Sequence, residues 1–139
     1  MKVHHTAICT IDVDESLRFW RDGLGFEPLM DLTFEGGWRA LFDAPTDTLR
    51  SVFLGDPAAR STGIIELVDF GPLPSARPAA GPAVGFFLVS VYTDVDRTLA
   101  VLADLGLGGP PRRITVSGVD MAVVHDPNGV LVELVGLPG

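Results

Sequence analysis

The first half of the chain carries apolar and polar positions in a pattern that predicts one helix among several strands. Residues 4–11 are mostly short, apolar or β-branched, which is typical of a strand. Asp12 or Asp14 can cap a helix that runs to about Gly23, with Trp20 on its apolar face. After this helix the pattern predicts four strands, with the alternative that one of the first three is only an extension of its neighbour: Phe26–Phe34, Gly37–Asp43, Leu49–Gly55 and Gly63–Phe70.

The second half repeats this order after a segment rich in proline. Residues 71–82 contain four prolines among Ala, Ser and Gly, which favours neither a helix nor a strand and predicts a linker. The pattern then predicts a helix over Asp94–Leu105, followed by a break at Pro110-Pro111. The predicted strands of this half are Val84–Tyr92, Arg113–Ser117, Met121–His125 and Val130–Val135.

The two halves form an internal repeat. Asp12-Val13-Asp14 reappears 82 positions later as Asp94-Val95-Asp96, in each case directly after an apolar strand. Each half also ends on an acidic residue inside an apolar strand, Glu66 in the first half and Glu133 in the second. A carboxylate in such a strand is costly to bury unless it is paired or bound to a cation. The repeat therefore makes both glutamates candidate functional residues.

The motifs of the repeat carry a family resemblance. His-x-Ala-Ile, Asp-Val-Asp and Leu-Gly-Phe are followed by Ile-Glu-Leu and finally by Asp-Pro-Asn-Gly-x-x-x-Glu-Leu. From His5 to Leu134 this pattern resembles the vicinal oxygen chelate superfamily, of the glyoxalase, bleomycin resistance protein and dioxygenase type. The resemblance implies an α+β fold in which two βαβββ repeats form a curved mixed sheet around a central cavity. We expect a single domain over 1–139, with repeat one at about 3–70 and repeat two at about 83–136.

The resemblance also implies a metal site, with ligands from the first and last strands of each repeat. The corresponding positions are His5, Glu66, Phe87 and Glu133. Phe87 has no donor atom, so the expected ligands are His5, Glu66 and Glu133. One imidazole and two carboxylates suit a divalent ion such as Zn, Ni, Co, Mn or Fe. The open alternative is a hydrogen-bonded His5 in the core, with both glutamates facing solvent.

Either glutamate is also a candidate catalytic base. Removal of a proton next to a carbonyl group requires a positioned base, and the carboxylate of Glu133 or Glu66 could serve as one. A carboxylate that binds a metal tightly is a poor base, so one residue cannot easily fill both roles.

Three further residues are candidates for contact with a substrate. Phe87 would fill volume and offer a stacking surface. Trp38 would line the cavity, or only pack against a sheet face. Arg39 would bind a substrate carboxylate or phosphate, or lie on the surface as an ordinary cation. Strand alternation puts Cys9 in phase with His5 and sends His4 to the opposite face.

Composition excludes several classes of protein. The 139 residues are 47% hydrophobic and 20% charged, which indicates a folded chain. With a net charge of −8, the chain has no basic surface for nucleic acid or an anionic membrane. No apolar run approaches the ~20 residues of a membrane span, and residues 1–5 lack the features of a secretory signal, so we expect a cytoplasmic location. The single cysteine, Cys9, excludes an internal disulfide.

These observations leave two hypotheses for function. The first is a metal-dependent lyase or isomerase of the glyoxalase or epimerase kind, acting on a small α-hydroxy or α-keto compound or a thioester. The second is a metal-free protein that binds a flat small molecule, similar to the drug-sequestering members of the superfamily. For both we expect a homodimer, because curved sheets of this kind leave edges and an outer face exposed. The site is completed within one chain or across two.

Overall fold

The chain divides into two compact units. A computed structural model describes residues 1–75 and 81–137. Unit 1 comprises Met1–Pro74 and unit 2 comprises Ser75–Gly139. The boundary lies inside the proline-rich segment predicted as a linker, of which residues 76–80 are outside the described residues.

Unit 1 is a four-stranded mixed sheet with helical segments between its strands. Its elements are β1 (His5–Cys9), α1 (Val13–Leu17) continued by a π-helical segment (Arg18–Gly23), β2 (Glu27–Glu35), α2 (Trp38–Phe42), β3 (Thr48–Gly55) and β4 (Ile64–Asp69). The strand order is β1-β4-β3-β2, with β1 parallel to β4 and the other pairs antiparallel. Phe19, Trp20, Leu54 and Leu67 are fully buried and form part of its core.

The start of α1 is fixed by Asp12. The Asp12 carboxylate accepts a hydrogen bond from the backbone N–H of Glu15 at 3.0 Å, the usual arrangement of an N-cap. Of the two caps that the sequence allows, Asp12 is therefore the one used, and Asp14 lies in the first turn.

The predicted strand Gly37–Asp43 is wrong, because this segment forms the short helix α2. The Asp47 carboxylate accepts a hydrogen bond from the backbone N–H of Arg39 at 2.9 Å and so satisfies one of the free donors at the start of the helix. Asp43 then ends the helix in the left-handed conformation (φ 53°). The rings of Trp38 and Phe42, one helical turn apart, stack at 5.9 Å.

Unit 2 repeats the sheet of unit 1. Its elements are β5 (Val89–Thr93), α3 (Val95–Leu105), β6 (Gly108–Val116), β7 (Val119–His125) and β8 (Leu131–Gly136). The strand order is β5-β8-β7-β6, again with one parallel pair, β5 with β8. The two repeats thus form two four-stranded mixed sheets, and the predicted α+β fold of two βαβββ repeats is confirmed.

Two predicted boundaries in unit 2 are wrong. The strand predicted for Val84–Tyr92 begins only at Val89, since Gly85 turns the chain with a positive φ of 114°. The next strand starts at Gly108 and runs through Pro110-Pro111, which were predicted to lie outside it. Prolines are tolerated here because β6 is an edge strand and its pairing with β7 shifts register at this point.

The two repeats differ by one residue between strand and helix. In unit 1 the hydroxyl groups of Thr10 and Ser16 are hydrogen-bonded to each other, and in unit 2 the hydroxyl groups of Thr93 and Thr98 are bonded in the same way. Thr93 is followed directly by its helix cap, whereas Ile11 intervenes after Thr10. Equivalent strand positions are therefore 83 residues apart, and equivalent helix positions 82.

This inserted residue changes which position corresponds to His5. Ala7 pairs with Glu66, and Ser90 pairs with Glu133. Counting two residues back from each, the counterpart of His5 is Leu88. Phe87 lies outside the strand and is 50% exposed.

Candidate functional site

Unit 1 contains a cavity of about 650 Å³, which we call the unit 1 cavity. Strands β1, β3 and β4 contribute side chains to it at alternate positions, as the two-residue period of a strand requires. Its lining is largely apolar and includes five aromatic residues: Phe34, Trp38, Phe42, Phe53 and Phe70. The volume falls within the range of small-molecule sites, about 300–1,000 Å³.

The polar part of the lining is a cluster of three side chains. Glu66 Oε1 lies 3.5 Å from His5 Nε2, and the hydroxyl of Ser51 donates a hydrogen bond of 2.5 Å to Glu66 Oε2. The side chain of Glu66 is only 16% exposed, against 37% for that of His5. The two oxygens of this carboxylate therefore have different partners, and one of them faces an imidazole.

The position of His4 differs from the prediction that strand alternation gave. Its Nδ1 lies 2.8 Å from Nδ1 of His5, so one of the two rings donates and the other accepts. Alternation does not apply to His4, because β1 begins only at His5. The ring also packs edge-on to Phe53 at 5.9 Å, which helps to hold the His5 ring next to the cavity.

An aromatic wall of the cavity is built on helix α2. The rings of Trp38 and Phe42 are parallel within 8°, and Trp38 Nε1–H donates to the carbonyl oxygen of Phe34 at 3.2 Å. The Trp38 ring lies against Gly36, where a Cβ atom would come within 2.9 Å of the ring carbons. Gly36 thus makes room for the indole. Trp38 lines the unit 1 cavity, which is one of the two positions predicted for it.

Cys9 lines the same cavity, in phase with His5 as predicted. Partial burial raises the pKa of its thiol, and the negative charge of Glu66 raises this pKa further. Cys9 is therefore kept as the neutral thiol and is not activated as a nucleophile.

Three candidates remain, one in unit 1 and two in unit 2. Arg39 is exposed and is not among the residues that line the unit 1 cavity. Glu133 belongs to unit 2, where it accepts a hydrogen bond of 2.8 Å from the hydroxyl of Ser90. Phe87 also belongs to unit 2, in the segment that precedes β5.

The donor atoms within unit 1 do not complete a metal site. His5 and Glu66 supply two ligands, and one oxygen of Glu66 is already bound to Ser51. Across residues 1–75 and 81–137, no three His, Cys, Asp or Glu side chains are close enough together to hold a metal ion. Unit 1 by itself therefore supplies fewer than the three protein ligands that a metal site usually has.

The sequence did not single out Ser51 or the aromatic residues other than Trp38. Ser51 has the parity of Leu49 and Phe53 in a strand that was predicted correctly. Its contact with Glu66, however, depends on the pairing of β3 with β4, which no local pattern specifies.

Comparison with known proteins gives the same family as the motifs. The model of the Glyoxalase/Bleomycin resistance protein/Dioxygenase superfamily matches residues 2–134. The chain is 35% identical to the lactoylglutathione lyase-like protein terB of Aspergillus terreus, over 98% of this chain and 75% of that protein.

Solved structures of the same kind confirm the fold. A glyoxalase family protein from Bacillus cereus superposes with a TM-score of 0.78 at 17% identity, over 100% of this chain and 95% of that one. The trypanothione-dependent glyoxalase I of Leishmania major superposes with a TM-score of 0.70 at 23% identity, over 98% and 86%. No helix of the described residues is both long enough and apolar enough to cross a membrane.

Proposed function

Since the chain belongs to the Glyoxalase/Bleomycin resistance protein/Dioxygenase superfamily, we propose that it is a lyase or isomerase of small carbonyl compounds. Its substrate is an α-hydroxy or α-keto compound or a thioester, and the reaction moves a proton next to the carbonyl group. The site of this reaction is the unit 1 cavity.

The observation that carries the proposal is the pairing of His5 with Glu66 beside an apolar cavity. A carboxylate and an imidazole at 3.5 Å are the two groups that proton transfer needs, one as a base and the other as a hydrogen-bond donor. Few polar groups surround them, so charge that develops on a substrate interacts more strongly with this pair than it would in water.

The proposed steps use three side chains. The Glu66 carboxylate takes the proton from the carbon next to the carbonyl, and the electron pair of that C–H bond moves toward the carbonyl oxygen. His5 Nε2–H donates a hydrogen bond to this oxygen and stabilises the enediolate. In an α-hydroxy carbonyl substrate Glu66 then returns the proton to the former carbonyl carbon, while the proton of the substrate hydroxyl passes to the oxyanion, so no external oxidant or reductant is needed. In a substrate without this hydroxyl the proton returns to the carbon that it left. Ser51 holds the other carboxylate oxygen and fixes the direction of the base.

Exchange of a substrate C–H proton with solvent tests the proposal. The probe is 2-hydroxyacetophenone in D2O, with loss of its CH2 signal followed by proton NMR. We expect the wild type to catalyse this exchange and Glu66→Gln to slow it by roughly 100-fold or more. Glu27→Gln is the matched control, because Glu27 is exposed on β2 and does not line the cavity. Equal rates for wild type and Glu66→Gln would contradict the proposal.

The same assay tests the metal hypothesis with His5, Glu66 and Glu133 as ligands. The steps above need no metal, so we expect the exchange to survive dialysis against EDTA and to survive Glu133→Ala. Loss of the exchange in both cases, with recovery on addition of Zn, Ni, Co, Mn or Fe(II) to the wild type, would support the three-ligand site instead.

Binding without reaction is the second candidate function, and the aromatic lining of the cavity favours it. The stacked Trp38 and Phe42 form a surface suited to a flat ligand. A ligand that binds to the wild type and to Glu66→Gln with equal affinity, and that both proteins leave unchanged, would establish this alternative.

A further inference from the structure

The charge and the shape of the walls of the unit 1 cavity indicate which kind of substrate it would bind. Its described lining includes the carboxylates of Asp43 and Glu66 but no lysine or arginine side chain. Arg39, the arginine that was predicted to bind a substrate anion, is exposed and does not contribute to the lining. Arg50 lies on β3 between the cavity-lining Leu49 and Ser51, and its guanidinium is paired with Asp31 at 2.8 Å.

The charge of unit 1 as a whole acts in the same direction. Residues 1–74 carry 12 acidic side chains against 6 basic ones. An excess of negative charge around a cavity with apolar walls lowers the local concentration of anions and raises that of neutral or cationic molecules. An anionic ligand would also be desolvated without a cation to pair with it, which is unfavourable.

The shape of the walls points to a flat ligand. Trp38 and Phe42 lie parallel to each other, and Phe70 meets Phe42 edge-on at 6.4 Å. Aromatic surfaces of this kind bind another ring by offset stacking or by edge-to-face contact, each worth about 0.5–1.5 kcal/mol beyond burial. The cluster of His5, Ser51 and Glu66 is the place where a single polar group of such a ligand can be hydrogen-bonded.

We propose that the substrate is a neutral aromatic molecule with one hydroxyl or carbonyl group, bound with its ring against Trp38 and its polar group at Glu66 and His5. Glutathione conjugates, which carry two carboxylates, are excluded from this cavity by charge. The inference rests on the proposed function for the location of the site, but it concerns recognition and not reaction.

A pair of naphthalene probes, one neutral with a hydroxyl group and one anionic with a carboxylate, tests the inference. Binding of 2-naphthol and of 2-naphthoate to the full chain is measured by isothermal titration calorimetry, with S-lactoylglutathione as a third ligand. We expect 2-naphthol to bind at least about tenfold more tightly than 2-naphthoate, and S-lactoylglutathione to show no binding at millimolar concentration. Glu66→Gln should reduce the difference in affinity between the two naphthalene probes, because it removes a negative charge from the lining of the cavity.

Other results would overturn the inference. These are equal affinity for the two naphthalene probes, tighter binding of the anion, binding of S-lactoylglutathione, or no binding of 2-naphthol. Preferential binding of 2-naphthol without any exchange of 2-hydroxyacetophenone would contradict the proposed reaction and leave the inference standing. Exchange that depends on Glu66, together with equal binding of the two naphthalene probes, would support the proposed reaction and contradict the inference about the substrate.

Discussion

At the scale of single residues, Cys9 reports on the charge of Glu66. The pKa of its thiol is raised first by burial and second by this carboxylate, so removal of the carboxylate should lower the pKa. The thiolate is the reactive form, and we therefore expect Glu66→Gln to be alkylated by iodoacetamide faster than wild type at pH 8. Cys9 is the sole cysteine of the chain, so the reaction monitors this site alone.

The control for this measurement is Glu35→Gln, on the exposed part of β2, where Glu35 accepts a hydrogen bond from Thr48. Its alkylation rate should match that of wild type across the pH range. A slower reaction of Glu66→Gln would show that the carboxylate does not hold the thiol protonated.

Gly36 and Gly37 form a second comparison at this scale. A methyl group on Gly36 would meet the Trp38 ring at 2.9 Å, whereas one on Gly37 would meet nothing within 4 Å. We expect Gly36→Ala to displace the indole and to weaken binding of 2-naphthol by about threefold to tenfold, since one aromatic contact is lost. Gly37→Ala should bind like wild type in the same titration. A normal affinity of Gly36→Ala would mean that Trp38 does not contact the ligand.

At the scale of the elements, the cap of α1 gives a prediction about stability. Asp12 accepts the hydrogen bond of the Glu15 N–H, while Asp14 is exposed in the first turn and acts only through its charge. We expect Asp12→Ala to lower the free energy of unfolding by about 1 kcal/mol. Asp14→Ala should lower it by only a few tenths of a kcal/mol. Urea denaturation of both variants measures the difference, and equal losses would contradict the assignment of the cap.

Most elements could be predicted from the sequence, because their patterns are local. The strands around Glu66 and Glu133 and the helix after Asp94 combine apolar periodicity with clear caps or turns. Helix α2 could not be predicted in this way. Five residues are too few to show a helical period, and its first turn depends on Asp47, eight positions beyond Arg39.

At the scale of the molecule, the repeat made the fold predictable but not the site. The sequence identified His5 and Glu66, which β1 and β4 bring together. It could not supply Ser51 or the aromatic wall, since these depend on the pairing of strands and on α2. The alignment of His5 with Phe87 failed for a related reason: Ile11 shifts the strand by one residue while the helices stay in phase.

An exposed apolar patch on unit 2 supports the predicted homodimer. Ile114 and Val116 lie on one face of β6 and are 61% and 49% exposed. Val119 on β7 pairs with Val116 and is 40% exposed. Neighbouring Arg113, on the other face of β6, pairs with Asp96 of helix α3, so the patch faces away from this helix. Exposed apolar patches of this kind mark sites of association.

Light scattering after size-exclusion chromatography measures this association. We expect wild type to have about twice the chain mass of 14.8 kDa, and Ile114→Lys to shift the protein toward the monomer because it places a charge in the patch. Thr115→Lys adds the same charge on the opposite face of β6, across from Asp120, and should leave the dimer intact. A monomeric wild type would contradict the prediction, and dissociation of both variants would show that the charge, and not the patch, controls assembly.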